Sequence, residues 1–299
     1  MKQESPLTAE STKLFLQLCD RRGRGEPVQY ILGDWDFYDM TVKCRSPVLI
    51  PRPETEELVD YILKSKILQS LATGEQTQQQ MVRILDVGAG SGVIGIALLH
   101  NLPNSECIAL DINEVAVELA NENARFVLQN SSNRYQCLHT SFMDFLYSRE
   151  DNSTVTKVKS KVTSLTSTTS EFDQTKNSKD NTMLSSISSQ LFDIIISNPP
   201  YIPSADVAEL QTEVRDWEDP RALDGGLDGL DMIKELIRHA HSLMRPFGTR
   251  ELWLEVSHLH PEVVRKWTEK EKIPVDLIET WNDLSGKPRF VRLRYAINR

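Results

Sequence analysis

No apolar run in the sequence approaches the ~20 residues a helix needs to cross a bilayer, so a membrane-spanning class is not expected. The N-terminal MKQESPLTAESTK has no apolar h-region, carries two acidic residues and lacks arginine, which suits neither a secretory signal nor a mitochondrial transit segment. Cysteine is scarce: Cys19, Cys44, Cys107 and Cys137 form no CxxC pair and no cluster with histidine. That argues against a disulfide framework and a zinc site, and it suits a reducing compartment. A basic excess is missing too. Lys and Arg number 34 against 43 Asp and Glu, for a net charge of −9. Nonspecific nucleic-acid binders need basic surface to displace counterions, so stable nucleic-acid binding is not expected, although a local basic patch is compatible with the total. Length, by contrast, is ample: 299 residues bury a core without staples, as one large domain or two ordinary ones.

Residues about 148–190 differ from the rest. They are rich in Ser, Thr, Lys, Asn and Asp, with few large apolar side chains, and read as a disordered, low-complexity insertion. Outside it, strand and helix signals alternate. VRILDV at 82–87 is a buried-strand run, followed by a Gly-rich turn and the helical IGIALLHNL. Further strands are expected at 107–110, 135–142, 192–197 and 252–256, with helices at 114–128 and 230–243. Stretches 275–280 and 290–295 would add an antiparallel pair at one edge. The pattern predicts an α/β class: a doubly wound, mostly parallel, seven-stranded sheet. Ahead of it, residues 11–22 read as a helix and 28–50 as short β-type runs with Tyr30, Trp35, Phe37 and Tyr38.

Two motifs carry chemistry. Asp86-Val87-Gly88-Ala89-Gly90-Ser91-Gly92 joins the first strand of the sheet to a helix, and its glycines let backbone N–H groups approach a ligand at the helix N-terminus. The frame Gly90-Ser-Gly92-Val-Ile-Gly95 also satisfies the dinucleotide fingerprint. An acidic Asp86 before the first glycine favours S-adenosylmethionine, whose ammonium it would face, over a pyrophosphate, which it would repel. Asp111, ending the next strand, would accept hydrogen bonds from ribose hydroxyls in either case. The second motif, Asn198-Pro199-Pro200-Tyr201, ends a strongly apolar strand. The Asn198 side-chain oxygen and the Pro199 carbonyl can accept both hydrogens of a planar –NH2, and Tyr201 offers a flat face against its plane. Such a pair positions a poorly nucleophilic nitrogen without a strong base. Arg52 and Glu54 read as capping and hinge residues, and His258 with His260 as solvated surface.

On these residues the chain resembles the HemK/PrmC glutamine methyltransferases, which modify peptide-chain release factors. The resemblance includes Pro27-Val-Gln-Tyr-Ile-Leu-Gly33, Leu49-Ile-Pro-Arg-Pro-Glu-Thr-Glu56, Glu218-Asp-Pro220, Ala222-Leu-Asp-Gly-Gly226 and, like the mitochondrial branch, Gly286-Lys-Pro-Arg-Phe290. It implies a class I S-adenosylmethionine-dependent methyltransferase fold. It also implies methylation of the glutamine side-chain amide in a Gly-Gly-Gln motif of a release factor. The cofactor would be held by Asp86, by Gly88, Ala89, Gly90, Ser91 and Gly92, by Asp111 and Asn198, and on the adenine side by Phe142. The substrate amide would meet Asn198, Pro199, Pro200 and Tyr201. Residues 1–50 would be the remnant of an N-terminal helical recognition domain plus a linking hairpin, and 51–299 the methyltransferase domain. A monomer is expected, and the resemblance to the mitochondrial branch implies a mitochondrial location, with a cytoplasmic one as the alternative. Because Asn-Pro-Pro-Tyr also serves adenine N6 and cytosine N4 chemistry, an amino-methylating DNA methyltransferase stays open, as does a catalytically idle scaffold.

Overall fold

The computed structural model describes residues 8–65, 81–148, 190–246 and 248–296. Nearly all of the predicted insertion lies outside these residues. A 15-residue helix α1 (Ala9–Gly23), capped by Thr8, precedes a short helix α2 (Val28–Leu32) and a hairpin of β1 (Asp34–Phe37) and β2 (Met40–Lys43). Val28–Leu32 is therefore helical where β-type structure was expected. Pro27 presets the entry, and Gly33, at φ 83°, closes the turn with its N–H on the Gln29 carbonyl.

Helix α3 (Pro53–Lys64) starts on Pro53, where a missing N–H costs nothing. The chain then builds one seven-stranded sheet from β3 (Val82–Val87), β4 (Ser105–Asp111), β5 (Tyr135–His139), β6 (Ile194–Ser197), β7 (Glu251–Glu255), β8 (Val275–Asn282) and β9 (Pro288–Tyr295). Their order is β5-β4-β3-β6-β7-β9-β8, with five parallel strands and β9 antiparallel to both neighbours. Two buried clusters, one on each face, sandwich the sheet, which is why β3 and β6 carry almost unbroken apolar runs. Helix α4 (Val93–Asn101) is buried along residues 93–99, whereas α5 (Glu114–Leu128) is amphipathic and N-capped by Asn113. Helices α6 (Asp231–His239) and α7 (His260–Lys270) complete the coat.

Two further expectations are corrected. The third strand stops at His139, because Thr140 donates to the Asp111 carbonyl and Ser141 caps a helical segment at 142–148 through the Asp144 N–H. The helix expected over 230–243 is α-helical only to His239 and tightens to a 3-10 turn thereafter.

Chain order runs outward from β3 to β4 and β5, then returns to β6 beside β3. The reversal opens a crevice beyond the carboxyl ends of β3 and β6, the place where open α/β sheets bind ligands. Both sequence motifs sit at its rim.

Candidate active site

The Gly-rich loop is tied to the end of β4. Gly88 and Ala89 both donate to the Leu110 carbonyl, at 2.8 and 3.0 Å, and Gly90 donates to Asp111 Oδ2 at 2.8 Å. Gly92 must be glycine: its φ is 83°, and a Cβ would fall 2.7 Å from the Tyr135 hydroxyl. Asp111 accepts a second backbone N–H, from Asn113, on Oδ1 at 2.8 Å. Burial raises its carboxyl above the usual range, and the two N–H bonds oppose that rise. Each oxygen keeps a lone pair for a further donor.

In front of this loop lies a cavity of about 270 Å3. Gly88, Gly90, Asp111, Phe142, Asn198 and Pro200 line it, together with Val48 and Leu49 from beyond the hairpin and Asp219, Arg221 and Ala222 from the long loop after β6. A smaller neighbour of about 30 Å3 takes in Ala89, Ser91, Arg52 and Thr55. Gly88, Gly90, Leu49 and Asn198 border both. Asn198 thus stands where the two spaces meet.

Asp86 lies elsewhere. It is fully buried behind the loop, where Oδ2 accepts from the Gly95 N–H at 3.1 Å and Oδ1 has no partner among the described residues. It lines neither cavity. Desolvation pushes it up to about 7, and the Gly95 bond does not offset that. The expectation that its carboxylate faces the ligand does not match this geometry. Its place is under the turn, among Gly95, Cys107 and Tyr135.

After β6, the Ser197 hydroxyl is spent on the Val87 carbonyl at 2.6 Å, locking β6 to β3 at the crevice. Asn198 Nδ2 donates to Thr55 Oγ1 at 3.2 Å, and its Oδ1 has no hydrogen-bond partner among the described residues. Pro199 is buried and lines neither cavity; Pro200 is half-buried in the wall of the larger one. Tyr201 is half-buried against the α6 side of the core, with its hydroxyl 3.5 Å from Glu255 Oε1.

Several contributors were not foreseen. Asn113 donates to Asp219 Oδ2 at 2.7 Å, and Asp219 is gripped by Arg221, so the post-β6 loop is held onto the Asp111 end of the cavity. Its signal was available, since Asn just before a helical run is an N-cap. Asn123 bonds both Lys43 backbone groups and the Ser91 carbonyl, joining hairpin, α5 and Gly-rich loop. Arg52 occupies the N-cap position of α3 as expected, but its side chain makes no capping bond; it makes two bonds to the buried carboxylate of Glu218 at 2.7 and 2.8 Å. His260 is buried at the start of α7 against the Gly229 turn, not solvated; His258 is more open.

Comparison with known proteins places this geometry. Over 291 residues, 97% of this chain and 73% of the relative, the sequence is 35% identical to human MTRF1L release factor glutamine methyltransferase. The chain belongs to the release factor glutamine methyltransferases. A bacterial member from Geobacter sulfurreducens is 30% identical over 85% of this chain and 68% of its own length. Another, from Thermodesulfovibrio yellowstonii, is 30% identical over 97% and 85%. A family model described as the PrmC N-terminal domain matches residues 1–33, and one described as ribosomal protein L11 methyltransferase (PrmA) matches 67–152. Among solved structures, the hMettl16 catalytic domain, solved with a MAT2A 3'UTR hairpin, superposes with a TM-score of 0.55 at 12% identity, covering 88% of this chain and 77% of that one. A human methyltransferase 10 domain-containing protein gives 0.50 at 11% identity, covering 98% and 100%. At such identities the likeness speaks for the fold, a class I methyltransferase. The methyl donor is S-adenosylmethionine. The residues fit it: Asp111 retains acceptor capacity for vicinal hydroxyls beside exposed loop backbone, and Phe142 forms part of an apolar wall.

Proposed function

We propose that the chain methylates the side-chain amide nitrogen of a glutamine in a peptide-chain release factor, within a Gly-Gly-Gln motif. The observation that carries this is Asn198: it borders both cavities, its Nδ2 is committed to Thr55, and its Oδ1 is left as an acceptor. S-adenosylmethionine, when bound, supplies an electrophilic methyl group. Asp111 would hold the ribose hydroxyls, the backbone from Gly88 through Ala89, Gly90 and Ser91 to Gly92 the cofactor's methionine end, and Phe142 the adenine side. Asp86 would support that loop from behind. Asn198 Oδ1 and the Pro199 carbonyl would accept the two amide hydrogens, while Tyr201 holds the plane of the amide and Pro200 stiffens the turn. Those contacts fix the direction of the nitrogen lone pair, so the catalytic contribution is positioning and electrostatics.

Residues 1–50 would form the last part of a recognition domain with its linking hairpin, and 51–299 the catalytic domain; the match of the PrmC N-terminal model to 1–33 supports the first part. We read the protein as a monomer acting on a protein rather than on nucleic acid, consistent with its net charge of −9. A mitochondrial location is supported by the likeness of Gly286 to Phe290 to that branch and by the human relative. The test is to supply labelled S-adenosylmethionine with a release factor, its Gln→Ala variant in the Gly-Gly-Gln motif, or duplex DNA. Label on the release factor alone is expected. Label on DNA, or cofactor binding with no transfer to any of the three, contradicts the proposal.

A further inference from the structure

We propose that Glu255, acting through Thr55, fixes the orientation of the Asn198 amide and is a positioning residue for methyl transfer. The inference rests on the reading of Asn198 as acceptor for the glutamine amide. The three side chains come from distant parts of the chain: Thr55 from the first turn of α3, Asn198 from the end of β6, and Glu255 from the last position of β7. Thr55 Oγ1 lies 2.8 Å from Glu255 Oε2 and 3.2 Å from Asn198 Nδ2, and both Thr55 and Glu255 are buried.

The logic is one of hydrogen-bond polarity. A hydroxyl has one hydrogen, and an ionised carboxylate only accepts. With Glu255 ionised, Thr55 must donate to it, and only lone pairs face Asn198. The amide then has to present Nδ2 to Thr55, which turns Oδ1 outward. With the polarity reversed, Thr55 donates to Asn198 Oδ1, and the amide offers its NH2 to another NH2. Two donors facing one another cannot hold a substrate amide. The second oxygen of Glu255 lies 3.5 Å from the Tyr201 hydroxyl, so one buried carboxyl reaches Tyr201 directly and Asn198 through Thr55.

Among the described residues, Glu255 has no salt-bridge partner. Arg289 on β9 is bonded to Asp283, Arg52 at the start of α3 is bonded to Glu218, and Glu54 nearby is a like charge. Burial of this carboxyl, only partly opposed by the Thr55 bond and Arg289, pushes it up to about 7. A carboxyl kept in such a place costs stability that a neutral side chain would not, and orientation of Asn198 is what it supplies in return.

Thr55→Val preserves shape and removes the hydroxyl. It should lower kcat by about tenfold or more, with release-factor KM and S-adenosylhomocysteine affinity within about twofold of the parent. Thr55→Ser should restore kcat. The parent's kcat should rise with pH through about 7, and Glu255→Gln should flatten that rise. Unchanged kcat in Thr55→Val, cofactor affinity lost in parallel with kcat, or the same pH profile in Glu255→Gln would each overturn the proposal. Asn198→Ala run alongside separates the two levels. Lost transfer in Asn198→Ala with full activity in Thr55→Val removes only this inference, whereas activity in both removes the reading of Asn198 itself.

Discussion

Gly225 lies in the long loop after β6 and backs directly onto the Asn-Pro-Pro-Tyr turn, its N–H bonded to the Ile202 carbonyl. A Cβ placed on it would stand 2.7 Å from the Pro200 carbonyl oxygen, 2.8 Å from Tyr201 Cα and 2.9 Å from Gly229 Cα. All three are backbone atoms, so no side chain can swing aside. Ordinary contact begins near 3.4 Å, which means that Gly225→Ala must push the turn by roughly 0.7 Å. Misplacement of a reacting group by about 1 Å can cost on the order of a hundredfold in rate, so kcat should fall by about ten- to a hundredfold. The proposed cofactor wall, the Gly-rich loop at Gly88 and Asp111, is built on the ends of β3 and β4, and its affinity for the cofactor should be kept. Single-turnover transfer to a release factor at saturating S-adenosylmethionine, with calorimetry of S-adenosylhomocysteine binding, separates the two effects. A Gly225→Ala protein with the parent's kcat would refute the claim that this turn positions the reacting amide.

Two further predictions concern stability. Arg52→Gln leaves the buried Glu218 carboxylate without its cation, and should destabilise the fold by about 3 kcal/mol in denaturant unfolding; a change within about 0.5 kcal/mol would show that the pair does not clamp the loop to α3. For Asp86, burial raises the folded carboxyl from its ordinary 3.8 to about 7. The native state therefore holds a proton that the unfolded state has released, and stability falls as pH rises from about 4 to beyond 7, by about 4 kcal/mol for this group. Asp86→Asn keeps an acceptor for the Gly95 N–H and should remove most of that fall. Thermal unfolding at pH 5 and pH 8 measures it, and parallel shifts in parent and variant would contradict the assignment.

Much of the sheet was legible because central strands are buried on both faces. VRILDV and the residues before Asn198 are nearly continuous apolar runs, and a Gly-rich turn between strand and helix has few other uses. Where local propensity misled, a neighbouring residue decided. The β-favouring Val28–Leu32 becomes helical between Pro27 and Gly33. Phe142 opens a helix because Ser141 and Asp144 form a capping pair, a signal present in the sequence. Asp86 is different. Its position before the glycines suggested a ligand contact, but strand alternation and the turn send its side chain beneath the loop. Thr55 and Glu255 meet across 200 positions, and nothing local in either segment announces the other. Contacts of that kind are set by strand order, which is why the side chains supporting Asn198 could be found only in the folded chain.

Asn198→Ala tests the central claim most directly. The variant should bind S-adenosylhomocysteine with about the parent's affinity and transfer methyl to a release factor at least about a hundredfold more slowly, the loss expected when a positioned acceptor of a reacting group is removed. Transfer at the parent's rate, or loss of transfer only because the cofactor no longer binds, would contradict it.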